Sequence, residues 1–314
     1  MTNKTTMGEL EFLNWVGTTE DEAVKFFEAR RWPFGRFCPA CGSVNTYEHT
    51  SRKHYYHCKD CRKQFSCKIG TVMEGTRLPV KEWLWVMYKI SVSRKGVSSV
   101  QLAKELNRPQ KTTWFMLQRM KEACGNKTAL LSGVVEADEK YVGGRETNKH
   151  ESKKLKLGRG PSGKQPVFGI RERDGEVIAV PVDTTDSATL QSKIHEHVKH
   201  GSEVYTDEHK SYNGLDGLFY SHDTVKHSAK EYVRGSVHTN GIESVWAILE
   251  RTITGVHHHI SVKHLKRYLN EVCYRLNEGN VKVHVKDRVS ALCLMCAGVT
   301  LPWKRLVRNH QRSF

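Results

Sequence analysis

Two tight cysteine pairs constrain this chain more than any other feature. Cys38 and Cys41 form CPAC, Cys58 and Cys61 form CKDC, and sixteen residues lie between the pairs. A Zn²⁺ ion takes four ligands in a tetrahedron, and two Cys-x-x-Cys knuckles deliver four thiolates from two hairpins. The strand-poor, turn-rich segment 35–73 can then fold on metal binding although its core is small. Gly42 just after the first pair suits a tight knuckle, and Tyr55, Tyr56 and Phe65 are candidates to pack beside it. The competing reading is two redox-type or accidental pairs, and the spacing favours a zinc ribbon. Cys67 lies outside the pattern and reads as a free thiol, while His54 and His57 are alternative ligands the pattern does not need. A third pair, Cys293 and Cys296 in ALCLMCAG, has apolar neighbours and reads as buried small hydrophobes.

Metal rather than disulfides is the expected use of the nine cysteines, because MTNKTTMGELEF does not resemble a signal peptide. No apolar run reaches the length of about 18 residues that a membrane helix needs. Residues 1–34 read as helical, with Thr18 and Thr19 ahead of Glu20, Asp21 and Glu22 as a helix start. Helical periodicity returns over 79–124. Within it, Ser98 or Ser99 can cap a helix burying Val100, Ala103 and Leu106. Asn107, Arg108 and Pro109 break that helix, and a second follows with Trp114, Leu117 and Met120 at helical spacing. Two short helices and a tight turn match a helix-turn-helix over 74–128, whose second helix would offer Lys111, Thr112, Thr113, Gln118 and Arg119 to a major groove. A plain helical hairpin is the alternative. The net charge of +16 favours a polyanionic partner, without separating DNA from RNA or an acidic membrane.

From 133 to 207 strand-like and helix-like runs alternate: GVVEADEKYV, PVFGI, EVIAVPV, a polar helical run near 187–199, then EVYTD. This is the pattern of an α/β domain, placed at 129–278, with helices dominating 240–277 and a basic tail over 279–314. The loop 143–166 carries seven Lys or Arg against two Glu; it reads as a solvated insertion or as a phosphate-contacting arm. Phosphodiester cleavage by two metals needs carboxylates that hold cations about 3.5–4 Å apart. Candidates are Asp138 within the first strand, Asp207 at the end of EVYTD, and Glu243 opening the helix NGIESVWAILER. Each has a plainer reading. Asp138 shares a strand face with Glu136 and Lys140 as solvent-facing charges, Asp207 can cap a turn, and Asn240-x-x-Glu243 fits a capping box.

With these residues in hand, the chain resembles the zinc-ribbon transposases of bacterial insertion sequences, related to the eukaryotic Merlin elements. The likeness runs from about residue 8 to 278: the RW before the ribbon, CPAC, CKDC, PVKEW, SSVQLAKEL, ADEKYVGG, VYTDEHKSY, HTNGIESVWAILER, HHHIS and RYLNEVCYRLN. The resemblance implies a ribonuclease H-like core and a DDE mechanism. It selects Asp138, rather than Glu136 or Glu139, with Asp207 and Glu243 as the triad. Two positions depart from the pattern. Lys140 stands where a small hydroxyl residue is usual, and Glu250 stands where Lys is expected, which removes an expected phosphate contact.

The implied activity is binding of an element's terminal inverted repeats through ribbon and helix-turn-helix, then strand cleavage and transfer with Mg²⁺ (or Mn²⁺) on the triad and Zn²⁺ in the ribbon. Implied partners are double-stranded DNA and at least a second copy of the chain, in the nucleoid-associated cytoplasm of a bacterial host. Two rivals share these features: a catalytically inactive, domesticated DNA-binding regulator, and a structure-specific nuclease without strand transfer.

Overall fold

A computed structural model describes residues 5–125, 130–144, 150–154, 163–217, 220–229, 231 and 233–307. Most of the basic loop, at 145–149 and 155–162, lies outside the described residues. The chain divides into two units: Met1–Asn126 together with Glu278–Phe314, and Lys127–Asn277.

The first unit opens with α1 (Glu9–Val16) and α2 (Glu20–Arg31). The start of α2 is the expected one: Thr19 Oγ1 accepts from the Glu22 N–H at 3.3 Å, and the Glu22 carboxylate accepts from the Thr19 N–H at 3.0 Å. Three short antiparallel strands follow, β1 (Thr46–Glu48), β2 (Tyr56–Cys58) and β3 (Gln64–Phe65). Then come α3 (Val80–Val92), α4 (Ser99–Leu106) and α5 (Gln110–Ala123). Ser98 caps α4 by accepting from the N–H groups of Val100 and Gln101, and Asn107 ends it at φ +49°. The buried residue of α4 is Leu102; Val100, expected inside, is 55% exposed.

Residues 279–307 are not a tail. They supply α9 (Val285–Met295), packed on α2 and α3, and α10 (Trp303–Val307). Arg30 Nε donates to Ser290 Oγ at 3.0 Å, and the Gly298 N–H donates to the Gly70 carbonyl at 2.9 Å. The basic residues hide this packing in the sequence: Arg288 is buried and donates to the carbonyls of Val283, Ser91 and Thr5. Cys293 and Cys296 are fully buried, as their apolar context implies, and burial pushes the Cys293 thiol up to about 12.

The second unit is a mixed five-stranded sheet of β4 (Val134–Val142), β5 (Gln165–Glu172), β6 (Val177–Pro181), β7 (Glu203–Thr206) and β8 (Ser221–Thr224). Their spatial order is β6-β5-β4-β7-β8. β4, β5 and β6 pair antiparallel, while β7 runs parallel to β4 and β8 parallel to β7. Strand alternation sorts β4 and β5 onto two cores. Val135, Ala137, Phe168 and Ile170 pack with Leu190 and Ile194 of α6 (Ser187–His197). Val167 and Ala179 pack with Val245, Trp246 and Leu249 of α7 (Asn240–Thr252) and with Leu269 of α8 (Leu265–Leu276). Helices therefore cover both faces. β8 escapes a sequence reading because SHDT is a polar edge strand with no apolar alternation.

Candidate active site and metal centre

The four cysteine sulfurs converge. All lie within 4.8 Å of one another, with Cys38–Cys61 and Cys41–Cys58 both at 3.6 Å. A tetrahedron with Zn–S of about 2.3 Å has S–S edges of about 3.8 Å, so the set fits zinc. The two knuckles share one backbone solution. Gly42 and Arg62, each just past a pair, have φ of +76° and +60°, and their N–H groups donate to the carbonyls of Cys38 and Cys58. The N–H groups of Cys61 and Asp60 aimed at Cys58 lower its thiol pKa, while at Cys41 the Ser43 N–H is outweighed by the crowded sulfurs of Cys61, Cys58 and Cys38 and by burial, which push it up. The ribbon's aromatic core is Tyr56, Phe65 and Trp32, ring centroids 5.6–6.1 Å apart; Tyr55 lies under Arg52 instead.

Asp138, Asp207 and Glu243 line one cavity of about 470 Å³ in the second unit. Asp138 lies on β4, Asp207 directly follows the neighbouring parallel strand β7, and Glu243 lies in the first turn of α7. Burial raises the Asp138 pKa to about 6, with Asp207 and Glu243 adding to the rise and the Trp246 indole opposing it. Trp246 Nε1 donates to Asp138 Oδ2 at 2.8 Å. Gly169 on β5, paired with Asp138, makes that bond possible: a Cβ there would lie 2.4 Å from the Trp246 ring. Glu139 also lines the cavity; burial raises its pKa to about 7, with the buried Tyr212 hydroxyl beside it opposing the rise.

The plainer readings of these acids fare unequally. Asp207 does cap its turn, accepting from the His209 N–H at 3.0 Å, while still facing the cavity. The capping box of Asn240 and Glu243 does not form. α7 begins at Asn240 with Thr239 as its N-cap, so Glu243 sits one residue beyond the box position. Glu136 takes the cap instead. It is 2% exposed, not solvent-facing, and its Oε2 accepts from the Ile242 N–H at 2.9 Å. Its Oε1 lies 3.2 Å from Arg173 Nη2 and 3.3 Å from His238 Nδ1. A carboxylate there satisfies an orphan N–H and the positive end of the helix dipole. The two departures from the family pattern meet: Lys140 Nζ lies 2.6 Å from Glu250 Oε1.

Of the residues expected in a groove, Lys111 is exposed and Thr112 half-buried at the start of α5. Thr113, Gln118 and Arg119 are buried. Thr113 Oγ1 donates to the Ser99 carbonyl at 2.8 Å, and Arg119 Nη1 donates to the carbonyls of Val72 and Glu74 at 2.6 and 2.7 Å. Thr113 and Arg119 thus satisfy backbone acceptors, and none of the three side chains is presented outward. Gln110, unremarked in the sequence, is exposed beside Lys111.

With this geometry in view, known proteins are informative. Residues 130–277 match the ISXO2-like transposase domain, and residues 18–64 match the transposase zinc-ribbon domain. A protein of the transposable element ISH50 of Halobacterium salinarum is 31% identical over 263 residues, covering 80% of this chain and 88% of that one. The chain belongs to the ISXO2-like transposase family. A transposase-like protein of Haemophilus influenzae is 34% identical over 110 residues, covering 35% of this chain and 88% of that one. Among solved structures, a simian T-cell lymphotropic virus intasome with PP2A subunit B56 gamma is 14% identical, with a TM-score of 0.25, covering 55% of this chain and 60% of that one. That likeness is too slight to bear on the fold. Among the described residues no helix is long and apolar enough to cross a membrane.

Proposed function

We propose that this transposase binds the terminal inverted repeats of its insertion sequence and performs metal-dependent DNA strand cleavage and strand transfer with Asp138, Asp207 and Glu243. One observation carries the reading: three acids far apart in sequence, on β4, just after β7 and on α7, line a single cavity. The mixed sheet covered by helices on both faces supports a ribonuclease H-like core.

The donor chemistry suits a hard divalent cation, although the acids are not drawn within 4.8 Å of one another as the four cysteine sulfurs are. The ligand atoms are carboxylate oxygens, and burial together with the charges of Asp207 and Glu243 raises the Asp138 pKa to about 6, a rise that a bound cation would relieve. Asp138, Asp207 and Glu243 would hold Mg²⁺ or Mn²⁺, which when bound stabilises the entering and leaving oxygens of a phosphoryl displacement. The protein's own part is positioning. Trp246 fixes one oxygen of Asp138, the His209 N–H fixes one of Asp207, and Thr239 Oγ1 donates to Glu243 Oε1 at 3.2 Å. Glu136 anchors the helix start that carries Glu243. Cys38, Cys41, Cys58 and Cys61 would hold a structural Zn²⁺. Helices α4 and α5 would act as the helix-turn-helix, with Lys111 and Thr112 at the exposed start of the second helix. The reading also assigns at least a dimer at paired ends, in the nucleoid-associated cytoplasm of a bacterial host.

The test is Glu243→Gln with a duplex made from DNA flanking the gene. The amide should abolish Mg²⁺-dependent cutting and end joining while leaving the gel shift intact and the protein cooperatively folded, with a melting temperature in chelator no lower than wild type. Near-normal cutting would remove Glu243 from the site. Wild type that cuts without joining ends would favour the nuclease reading, and wild type that binds without cutting would favour the regulator.

A further inference from the structure

β4 and α7 run side by side with matched periods. Two strand residues rise about 6.6 Å and four helical residues about 6 Å. Residues 136, 138 and 140 of the strand therefore meet residues 242, 246 and 250 of the helix, as the three contacts Glu136–Ile242, Asp138–Trp246 and Lys140–Glu250. The first contact is buried and the last is open: Glu136 is 2% exposed, whereas the side chains of Lys140 and Glu250 are 34% and 61% exposed. Lys140 is the only cation among the described residues that line the carboxylate cavity.

A cavity walled by Asp138, Glu139, Asp207 and Glu243 repels a phosphodiester, and bound cations offset that repulsion only at the acids they touch. A DNA strand entering it needs a further positive contact, and Lys140 stands at the right place. Its pairing with Glu250 is easily exchanged, because an ion pair this exposed gains little over hydration.

We propose that Lys140 is a phosphate-contacting residue for the DNA strand in the cavity, and that Glu250 holds it back as an exchangeable partner. DNA binding swaps the Lys140–Glu250 pair for a Lys140–phosphate pair and leaves the Glu250 charge beside the strand. Glu250 thereby acts as a brake on affinity. The proposal rests on the reading of the cavity as a DNA-processing site.

The experiment measures binding of full-length protein to the flanking-DNA duplex across a salt series, with chelator present. Lys140→Ala should lower the slope of log K against log salt by about 0.9, one phosphate contact. The wild-type advantage then shrinks about 3.5-fold between 50 and 200 mM salt, as that slope requires. Lys140→Arg should restore the slope. Glu250→Gln should tighten binding roughly fourfold, the effect of one unit charge about 5 Å from a phosphate in water, and should do less in the Lys140→Ala background. A lost melting transition in Lys140→Ala alone does not decide the matter, because Lys140→Arg and Glu250→Gln carry the test. An unchanged slope in folded Lys140→Ala, or no tightening in Glu250→Gln, overturns the proposal. Wild type that binds no flanking duplex and cuts none overturns the underlying reading instead.

Discussion

Removing one charge from the carboxylate cavity should stabilise the metal-free protein. Asp138 has its pKa raised from 3.8 to about 6 by burial first, then by Asp207 and Glu243. Ionising it in the folded state therefore costs stability. The cost is absent below about pH 4, where both states are protonated. It grows between about pH 4 and 6, where only the unfolded chain readily ionises, and is complete above 6. A rise from 3.8 to about 6 amounts to about 3 kcal/mol at 1.36 kcal/mol per pKa unit. Asp138→Asn removes the charge and keeps an acceptor for Trp246 Nε1. In chelator at pH 7.5 the Lys127–Asn277 unit should gain about 1–3 kcal/mol, with Tm rising about 2–4 °C per kcal/mol for a unit of that size. At pH 4 the two proteins should melt alike. Excess Mg²⁺ should reverse the order, because only the wild type gains from binding the ion. Calorimetry at four pH values between 4 and 7.5 checks this. An Asn variant no more stable than wild type at pH 7.5, or one with the same difference at pH 4, would refute the reasoning.

Cys58→Ser should drop zinc well below one ion per chain by elemental analysis and unfold the ribbon, since structural zinc contributes folding energy directly. Full occupancy in that variant would exclude the four-cysteine site. Gly169→Ala places a methyl 2.4 Å from the Trp246 ring, so it should cost about 1–3 kcal/mol in urea unfolding and pull the indole off Asp138. A loss below about 0.5 kcal/mol, the range of a neutral surface change, would mean that the ring has room to move.

Strand alternation made β4 legible and put Glu136, Asp138 and Lys140 on one face. It carried no information on what covers that face. Once α7 lies there, a carboxylate at 136 becomes a buried helix cap and one at 138 a member of the cavity. The cysteine spacing is more informative, because four thiols that could share one ion need a local geometry that sequence distance alone nearly fixes. For α5 the helical period was readable, but two covered sides were not. Polar Thr113 and Arg119 read as outward groups because the carbonyls they satisfy, at Ser99, Val72 and Glu74, lie elsewhere in the chain, and Gln118 is buried with them. The same blindness made residues 279–307 look like a charged tail, since the acceptors of Arg288 include Ser91 and Thr5.

Chain connectivity gives the ribbon-bearing unit a delay in its own synthesis. Its helices α2 and α3 are covered by α9, whose Val289, Leu292 and Cys293 are fully buried, and Cys293 Sγ sits 3.6 Å from Met87 Sδ. Between the two parts of that unit come the 151 residues from Lys127 to Asn277. A ribosome adding about 5–20 residues per second takes about 8–30 s to cross them. The contiguous second unit can complete its sheet in that interval, while Met87 and its neighbours wait uncovered. A chain that ends after α3 but before Val285 therefore carries α2 and α3 without α9, leaving an open apolar seam. Such a fragment should be degraded faster than the full-length chain, which a pulse-chase of a chain truncated after Asn277 checks.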